Sequence, residues 1–230
     1  MHAYIFDIDG TLARSNDLDE RLFARAIEEV LGVEGISTDW ASYYETTDEA
    51  ITRELIQLHR ATDDADALVA STRSRFIEMV RADLADLQRT ITPVAGVPQV
   101  LDLLADREGA SVAMATGGWP ESAKLKLETV GVDYNRHHLS TCADHPHRYA
   151  IIQHALARIG RGTDGAVYFG DGIWDARASR RLGIGFVGIA AEPGKRERLE
   201  AEGVTVILDG FGNIGEVVDA AERALSIASA

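Results

Sequence analysis

The sequence has few of the residues on which several protein classes depend. A single cysteine, Cys142, excludes an internal disulfide and favours a reducing compartment, so we expect a cytoplasmic protein. The 23 basic residues are outnumbered by 37 acidic ones, which gives a formal net charge of -14. Because a nucleic-acid-binding protein presents a basic face to the phosphate backbone, we expect no nucleic-acid partner.

Long apolar runs are also missing. No stretch is long enough to span a bilayer, and no basic segment followed by an apolar run resembles a signal peptide. We therefore expect no membrane partner and no cleaved leader. The 230 residues, of which 46% are hydrophobic, suffice for one large domain or two modest ones.

Near the start of the chain, a predicted strand is followed directly by two carboxylates. Residues 3–6 are apolar without polar alternation, which is typical of a strand buried on both faces of a parallel sheet. Asp7 and Asp9 are two residues apart, so an extended backbone points both side chains the same way. Such a pair repels, and it requires a cation between the charges, a shifted pKa or a shared proton. Gly10 then breaks the strand.

The rest of the chain divides into a helical part and an alternating part. Between residues 14 and 89, apolar spacing and capping residues predict no strand and four helices, over about 18–31, 40–44, 49–59 and 65–87. From residue 92 onward helices alternate with strands, and these strands are predicted at 111–115, 139–143, 165–169, 184–189 and 204–208. Joined to the first strand, this pattern predicts an α/β sheet covered by helices and interrupted by a helical bundle.

Two further strands of this predicted sheet end in polar residues. Thr116 and Gly117 close the strand at 111–115, and Pro120 then opens a helix. A hydroxyl and backbone N–H groups near a helix N-terminus form a phosphate cradle, although an ordinary helix cap uses the same residue types. Asp171 and Asp175 follow the strand at 165–169, where Asp171 could cap the next helix and Asp175 could face solvent.

Together these motifs resemble those of the haloacid dehalogenase-like (HAD) phosphotransferases. Asp7-x-Asp9-Gly10-Thr11 resembles the first motif, Thr116 the second, and the segment Gly170–Asp175 the fourth. The resemblance covers nearly the whole chain and is to the phosphoglycolate phosphatase-like branch with a helical cap. It implies a Rossmann-like core over residues 1–13 and 91–230, a cap over 14–90, and a site at the carboxyl ends of the strands.

The resemblance also implies roles for these residues. Asp7 would attack phosphorus and become an aspartyl phosphate, while Asp9 would protonate the leaving oxygen and later accept a proton from water. Mg²⁺, which prefers oxygen ligands, would offset the negative charge. The implied sets are Asp7, Asp9, Asp171 and Asp175 for the metal, and Thr116, Gly117 and Thr11 for the phosphate or its loop.

The third motif of the family is a lysine, and here the sequence departs from the pattern. No lysine lies between Gly131 and Asp171, and the whole chain has only Lys124, Lys126 and Lys195. Arg148 lies where the lysine is expected, so we predict that it is the cation beside Asp7, although its forked guanidinium makes the exchange non-neutral. Lys124 is an alternative whose helix position predicts an exposed side chain.

Several related activities can be weighed against the sequence. Asp9 and Asp171 disfavour a true dehalogenase, and the absence of lysine from residues 14–89 disfavours imine-based phosphonate cleavage. A phosphoglucomutase-like sugar-phosphate mutase and a non-catalytic regulatory domain stay open as alternatives. We predict a Mg²⁺-dependent phosphatase acting on a small phosphorylated metabolite, of which phosphoglycolate, sugar phosphates and nucleotides all fit the core.

Substrate specificity would come from the cap. The candidates for direct contact are Thr46, Thr47 and the aromatic residues Trp40, Tyr43 and Tyr44, although aromatics at helical spacing often serve packing. Trp119, directly after the second motif, could touch substrate or pack under the cap. The arginines that could bind a second anionic group, or could equally be surface charges, are Arg14, Arg21 and Arg53.

Overall fold

A parallel six-stranded sheet forms the centre of the molecule. The computed structural model describes residues 2–229, with the backbone alone for residues 84–90. The strands are β1 (His2–Phe6), β2 (Ala13–Arg14), β3 (Thr92–Pro93), β4 (Ala110–Ala115), β5 (His138–Ser140), β6 (Ala166–Gly170), β7 (Gly185–Ile189) and β8 (Ile207–Leu208). The helices are α1 (Asn16–Leu31), α2 (Asp48–His59), α3 (Ala65–Thr90), α4 (Gln99–Ala105), α5 (Pro120–Thr129), α6 (Arg148–Arg158), α7 (Ile173–Leu182), α8 (Pro193–Ala201) and α9 (Ile214–Ala228).

The sheet order places the first strand in the middle. The order is β5-β4-β1-β6-β7-β8, and every pairing in it is parallel. Ile5 of β1 faces Ala113 of β4 on one side and Tyr168 of β6 on the other. Because parallel strands end at the same edge of a sheet, the residues that follow β1, β4 and β6 meet there. The predicted α/β core is therefore confirmed.

The strand β1 is buried on both faces, as its unbroken apolar sequence predicts. Ile5 and Phe6 are fully inaccessible to solvent. The ring of Phe6 stacks on Phe169 of β6 with centroids 4.6 Å apart, and Phe211 meets Phe6 edge-on at 5.6 Å. Such aromatic pairs contribute about 0.5–1.5 kcal/mol each beyond their burial, so they hold the first and fourth motifs side by side.

The helical insert lies between β2 and β3. Helices α1, α2 and α3 pack against one another, and α3 also packs on α5 of the core. The short strands β2 and β3 pair antiparallel at the two ends of the insert, with Ala13 opposite Pro93 and Arg14 opposite Thr92. The prediction of no strand between residues 14 and 89 is thus wrong only at Arg14, which is the second residue of β2. We propose this pair as the junction between a core of residues 1–13 and 91–230 and a cap of residues 14–90.

Other differences from the sequence prediction lie mostly at the edges of the fold. The predicted helix at 40–44 is a single 3₁₀ turn at Trp40–Ser42, and the last strand contains only two residues. Helices α8 and α9 were not predicted. Within the part of the chain that the structure describes, none of the helices combines the length and apolar character that a bilayer crossing requires.

Candidate active site

The first aspartate of the site follows β1 directly. Asp7 is buried, with 2% of its surface exposed, and its backbone N–H donates to the Phe169 carbonyl at 2.9 Å. The chain then turns at Gly10, whose φ of 73° is in the left-handed region. A Cβ at this position would lie 1.8 Å from Oδ2 of Asp171, so both the turn and the approach of Asp171 require glycine.

Asp171 and Asp175 bring the fourth motif to the same place. Carboxylate oxygens of Asp7, Asp171 and Asp175 lie within 4.8 Å of one another, and all three residues are buried. Asp175 is fully buried rather than on a solvated face, and its Oδ2 accepts from the backbone N–H of Gly172 at 3.0 Å. A buried cluster of hard oxygen ligands fits Mg²⁺ by its chemistry.

Asp171 has two further partners that the sequence analysis did not identify. Asn16 at the start of α1 donates its Nδ2 to Oδ2 of Asp171 at 2.9 Å. Lys195 of α8 reaches the same oxygen at 2.5 Å. Lys195 lies 24 residues along the chain from Asp171, so no local sequence motif predicts this contact.

Arg148, at the first position of α6, points into the carboxylate cluster. Its Nη1 lies 3.1 Å from Oδ1 of Asp7 and 3.1 Å from Oδ1 of Asp175, and its side chain is only 11% exposed. Its Nη2 donates to the backbone carbonyl of Thr46 in the insert at 3.2 Å. The guanidinium fork therefore joins the core carboxylates to the insert. Lys124, the alternative cation, is exposed and lies over the ring of Tyr134.

Thr116 and Gly117 lie beside this cluster at the end of β4. Thr116 is buried, and its Oγ1 accepts from the backbone N–H of Gly118 at 3.2 Å. A Cβ on Gly117 would approach both Nη2 of Arg148 and the Thr46 carbonyl to 2.7 Å, so glycine leaves room for the guanidinium. Thr11 is placed differently, because it is fully buried and does not line the cavity described below.

A buried lysine forms a second charged group next to the first. Lys126 of α5 has a side chain with no exposed surface, and its Nζ lies 2.7 Å from Oδ1 of Asp9 and 2.7 Å from Oδ2 of Asp19. The same Oδ1 of Asp9 accepts from the Ser15 hydroxyl at 2.5 Å. These contacts were also missed, since the lysine and Asp9 are 117 residues apart in the sequence.

The electrostatics of the site follow from burial and crowding. Burial, together with the neighbouring Asp175, Asp171 and Asp9, raises the pKa of Asp7 well above its usual value, although Arg148 opposes the change. Burial likewise raises the pKa of Asp175 to about 6 and that of Asp19 to about 8. Burial is the largest cause of each shift and the neighbouring carboxylates add to it, so a divalent cation bound among these oxygens would favour their ionised forms.

The insert closes over the site through a segment at residues 45–48. The backbone N–H of Asp48 donates to the Gly117 carbonyl at 2.9 Å, and the Asp48 carboxylate accepts from the Trp119 backbone N–H at 2.9 Å. The Thr47 hydroxyl donates to the Pro146 carbonyl at 2.9 Å. The insert is therefore bonded to the loops that follow β4 and precede α6.

A cavity of about 1030 Å³ lies between the insert and the core. The residues that line it include Asp7, Asp9, Thr116, Gly117, Arg148 and Asp171 from the core, and Arg14, Arg21, Trp40, Thr46 and Asp48 from the insert.

The other specificity candidates lie elsewhere. Tyr44 is 88% exposed, Tyr43 stacks on Trp40, and Arg53 pairs with Glu49 and Asp66 at the surface. Trp119 is fully buried in aromatic packing.

Comparison with known proteins gives a family match and a set of similar folds. A family model described as haloacid dehalogenase-like hydrolase matches residues 1–183. A hydrolase from Pseudomonas syringae has a similar structure, with 20% identity, a TM-score of 0.74, and coverage of 95% of this chain and 98% of its own. No curated protein matches the sequence significantly.

Two other solved structures carry more specific names. A predicted phosphoglycolate phosphatase from Haemophilus somnus is 16% identical with a TM-score of 0.68, covering 95% of this chain and 98% of its own. A putative β-phosphoglucomutase from Thermotoga maritima is 17% identical with a TM-score of 0.59, covering 95% and 99%. At this level of identity the structures support the fold alone.

Proposed function

The chain belongs to the haloacid dehalogenase-like hydrolase family, and from this premise we propose that it is a Mg²⁺-dependent phosphatase of a small phosphorylated metabolite. The observation that carries the proposal is the buried meeting of Asp7, Asp171 and Asp175 beside the guanidinium of Arg148. Such a cluster is costly as structure, because like charges are held together in a low-dielectric environment. It is suited to a site that binds a cation and an anionic phosphate.

The proposed reaction begins at Asp7. A carboxylate oxygen of Asp7 attacks phosphorus, and the bond from phosphorus to the ester oxygen breaks. Arg148 contacts Oδ1 of Asp7, which leaves Oδ2 for the attack. The proton of Asp9 passes to the departing oxygen, so the leaving group departs as a neutral alcohol. The products of this step are an alcohol and an aspartyl phosphate on Asp7.

The second half regenerates the enzyme. Asp9, now ionised, takes a proton from water, and the water oxygen attacks phosphorus as the bond to Asp7 breaks. Phosphate is released and Asp9 is protonated again. The Thr116 hydroxyl, the Gly117 backbone and Arg148 are proposed to bind the phosphoryl oxygens throughout. Thr11, which the structure buries away from the cavity, is proposed only to support the loop.

The metal would be held by the carboxylates of Asp7, Asp171 and Asp175 and by the backbone carbonyl of Asp9. Asp175 Oδ1 forms an ion pair with Nη1 of Arg148 at 3.1 Å but accepts no hydrogen bond of regular geometry from the described residues, so it can serve as a ligand to the ion or to its waters. When bound, Mg²⁺ supplies positive charge that lowers the repulsion between Asp7 and the phosphate and stabilises the transition state.

The closed cap supports a small substrate. The Thr47 hydroxyl donates to the Pro146 carbonyl and the Asp48 carboxylate accepts from the Trp119 N–H, so the insert covers the cavity and limits access of bulk water and large polymers. We propose a small phosphorylated metabolite as the partner, neither a nucleic acid nor a membrane. We also infer a cytoplasmic location, with Cys142 reduced and buried.

The test is a phosphate-release screen over phosphoglycolate, sugar phosphates and nucleotides, with Mg²⁺ and with a chelator. We expect turnover of at least one monoester that needs Mg²⁺ and is lost in Asp7→Asn. The matched control is Asp17→Asn, an exposed carboxylate that lines the same cavity, which should keep its activity. Activity that survives in Asp7→Asn, or no release from any monoester, would sink the proposal.

The alternative is a sugar-phosphate mutase, which uses the same core residues. It would return the phosphoryl group to a sugar rather than to water. Adding a sugar acceptor to the same assay separates the two activities, since faster transfer to the sugar than to water would favour the mutase.

A further inference from the structure

Lys126 carries a side-chain cation with no solvent-exposed surface. Its side chain is fully buried in the core, and its Nζ contacts the carboxylates of Asp9 and Asp19 at 2.7 Å each. Lysine is almost never fully buried unless it is paired, and the cost of removing its charge from water is high. Neither the Asp7 cluster nor the phosphate cradle uses this residue, so its position requires a separate explanation.

The geometry around Asp9 supplies one. Oδ1 of Asp9 accepts two hydrogen bonds, from Lys126 Nζ at 2.7 Å and from the Ser15 hydroxyl at 2.5 Å. No donor among the described residues reaches Oδ2, and Asp9 lines the cavity. One oxygen of the carboxyl group is therefore fixed while the other is available on the cavity side.

This division suits a group that must deliver a proton at one atom. Oδ1 already accepts from a cationic and a hydroxyl donor, so a transferable proton belongs on Oδ2. Resting on the proposed function, we propose that Lys126 is a positioning residue for Asp9. It holds the carboxyl group so that Oδ2 faces the leaving oxygen, and it does not itself touch the substrate.

The second partner of Lys126 connects this arrangement to the cap. Asp19 belongs to α1 of the insert, while Lys126 belongs to α5 of the core. The ammonium thus bridges the proton donor and the cap helix, and Asp9 is in place when the cap is closed. Lys126 does not line the cavity, which distinguishes it from a substrate-binding cation.

The experiment compares two leaving groups of similar size. p-Nitrophenolate is a stable anion that departs without being protonated. Phenolate is more basic, so its departure depends more strongly on a proton from a general acid. In Lys126→Met, we expect the rapid-mixing rate of phenol release from phenyl phosphate to fall at least about 10-fold more than that of p-nitrophenol release. Asp9 also serves the second half-reaction, so with p-nitrophenyl phosphate the Lys126→Met protein should accumulate phosphorylated Asp7. Intact-mass spectrometry measures this accumulation.

Two controls separate positioning from folding. Lys124→Met changes the same residue type on the exposed side of α5 and should leave both rates unchanged. Ser15→Ala removes the other donor to Oδ1 without uncovering a buried charge, and should slow phenol release preferentially even where Lys126→Met folds poorly.

A double-mutant cycle provides the strictest check. If Lys126 acts through Asp9, then adding Lys126→Met to Asp9→Asn should change the phenol release rate by less than about 2-fold. Equal slowing of both esters by Lys126→Met, or multiplicative effects in the double variant, would overturn the inference while leaving the phosphatase proposal intact. A wild-type protein that releases phosphate from no monoester of the screen, these two aryl phosphates included, would instead remove the phosphatase proposal and this inference with it.

Discussion

Arg148 offers the sharpest prediction about stability, because among the residues that the structure describes it is the one cation in contact with both Asp7 and Asp175. The Arg148 side chain is 11% exposed, and the side chains of Asp7 and Asp175 are 3% and 0% exposed. Replacing Arg148 with methionine keeps much of the volume but leaves two buried carboxylates without this partner. Breaking a buried ion pair from one side costs about 3–5 kcal/mol in the free energy of unfolding.

This cost converts into a measurable melting temperature. For a chain of this size, 1 kcal/mol corresponds to about 2–4 °C, so Arg148→Met should melt about 6–20 °C below the wild type in chelator. Arg148→Lys keeps the charge but gives up the fork that also reaches the Thr46 carbonyl. Losing a hydrogen bond from a charged donor costs about 1.5–3 kcal/mol, and so predicts an intermediate fall of about 3–12 °C.

The assay is thermal unfolding followed by circular dichroism, first in chelator and then in Mg²⁺. Mg²⁺ should restore more of the lost stability in Arg148→Met than it adds to the wild type, because the ion supplies the missing positive charge. The control is Arg53→Met, since Arg53 also pairs with two carboxylates but at the surface, where such pairs contribute less than about 1 kcal/mol. An Arg148→Met protein that melts no lower than Arg53→Met would refute the reasoning.

Two further predictions concern backbone and pH. Gly10→Ala combines a left-handed φ with a Cβ 1.8 Å from Asp171 Oδ2, so it should abolish phosphate release and lower the melting temperature. Gly131→Ala, with a similar φ of 76° and nothing within 4 Å of the added Cβ, should lower the free energy of unfolding by only about 1 kcal/mol. Equal losses of stability in the two variants would contradict this account. Burial raises the pKa of Asp48 from 3.8 to about 6, so the folded state binds a proton at Asp48 more tightly than the unfolded state does. Protonated Asp48 therefore stabilises the fold at low pH, and this stabilisation is lost as the pH rises through about 6. The stability of Asp48→Asn relative to wild type should therefore rise by up to about 3 kcal/mol from pH 4 to pH 7, and by less to the extent that water reaches this half-buried side chain. Urea unfolding at the two pH values measures the change, and no pH dependence in the difference would count against it.

The sequence predicts those parts of the molecule whose signals are local. Residues 3–6 are uniformly apolar because both faces of β1 are covered, and Asp7 follows at the strand end where parallel-sheet sites form. The same logic identifies Thr116 and Asp171. Arg148 was predicted because it lies where the family resemblance places the lysine of the third motif, and in the structure its Nη1 lies 3.1 Å from Oδ1 of Asp7.

Features that depend on distant contacts were missed for a physical reason. Lys126 has an ordinary helical environment in sequence, and only the three-dimensional structure reveals that its ammonium is buried between Asp9 and Asp19. Lys195 is likewise one of several charged residues of α8, a helix in which only Leu199 is buried and the apolar periodicity is weak. Its contact with Asp171 depends on where α8 docks.

Helix α9 is a different kind of omission, because its signal was present. Asn213 caps it by accepting from the Gly215 N–H, and its buried residues Val217, Ala220, Ala221 and Ala224 follow helical spacing. The small alanines made the apolar stripe inconspicuous, although together they cover β6 and β7.

The central claim is that Asp7 carries the phosphoryl group, and trapping that group tests it most directly. The protein would be mixed with Mg²⁺ and p-nitrophenyl phosphate, quenched in acid, reduced with borohydride and mapped by peptide mass spectrometry. The account predicts one modified residue, Asp7, with no modification in Asp7→Asn. Steady release of phosphate with Asp7 never modified, or modification at another residue, would contradict it.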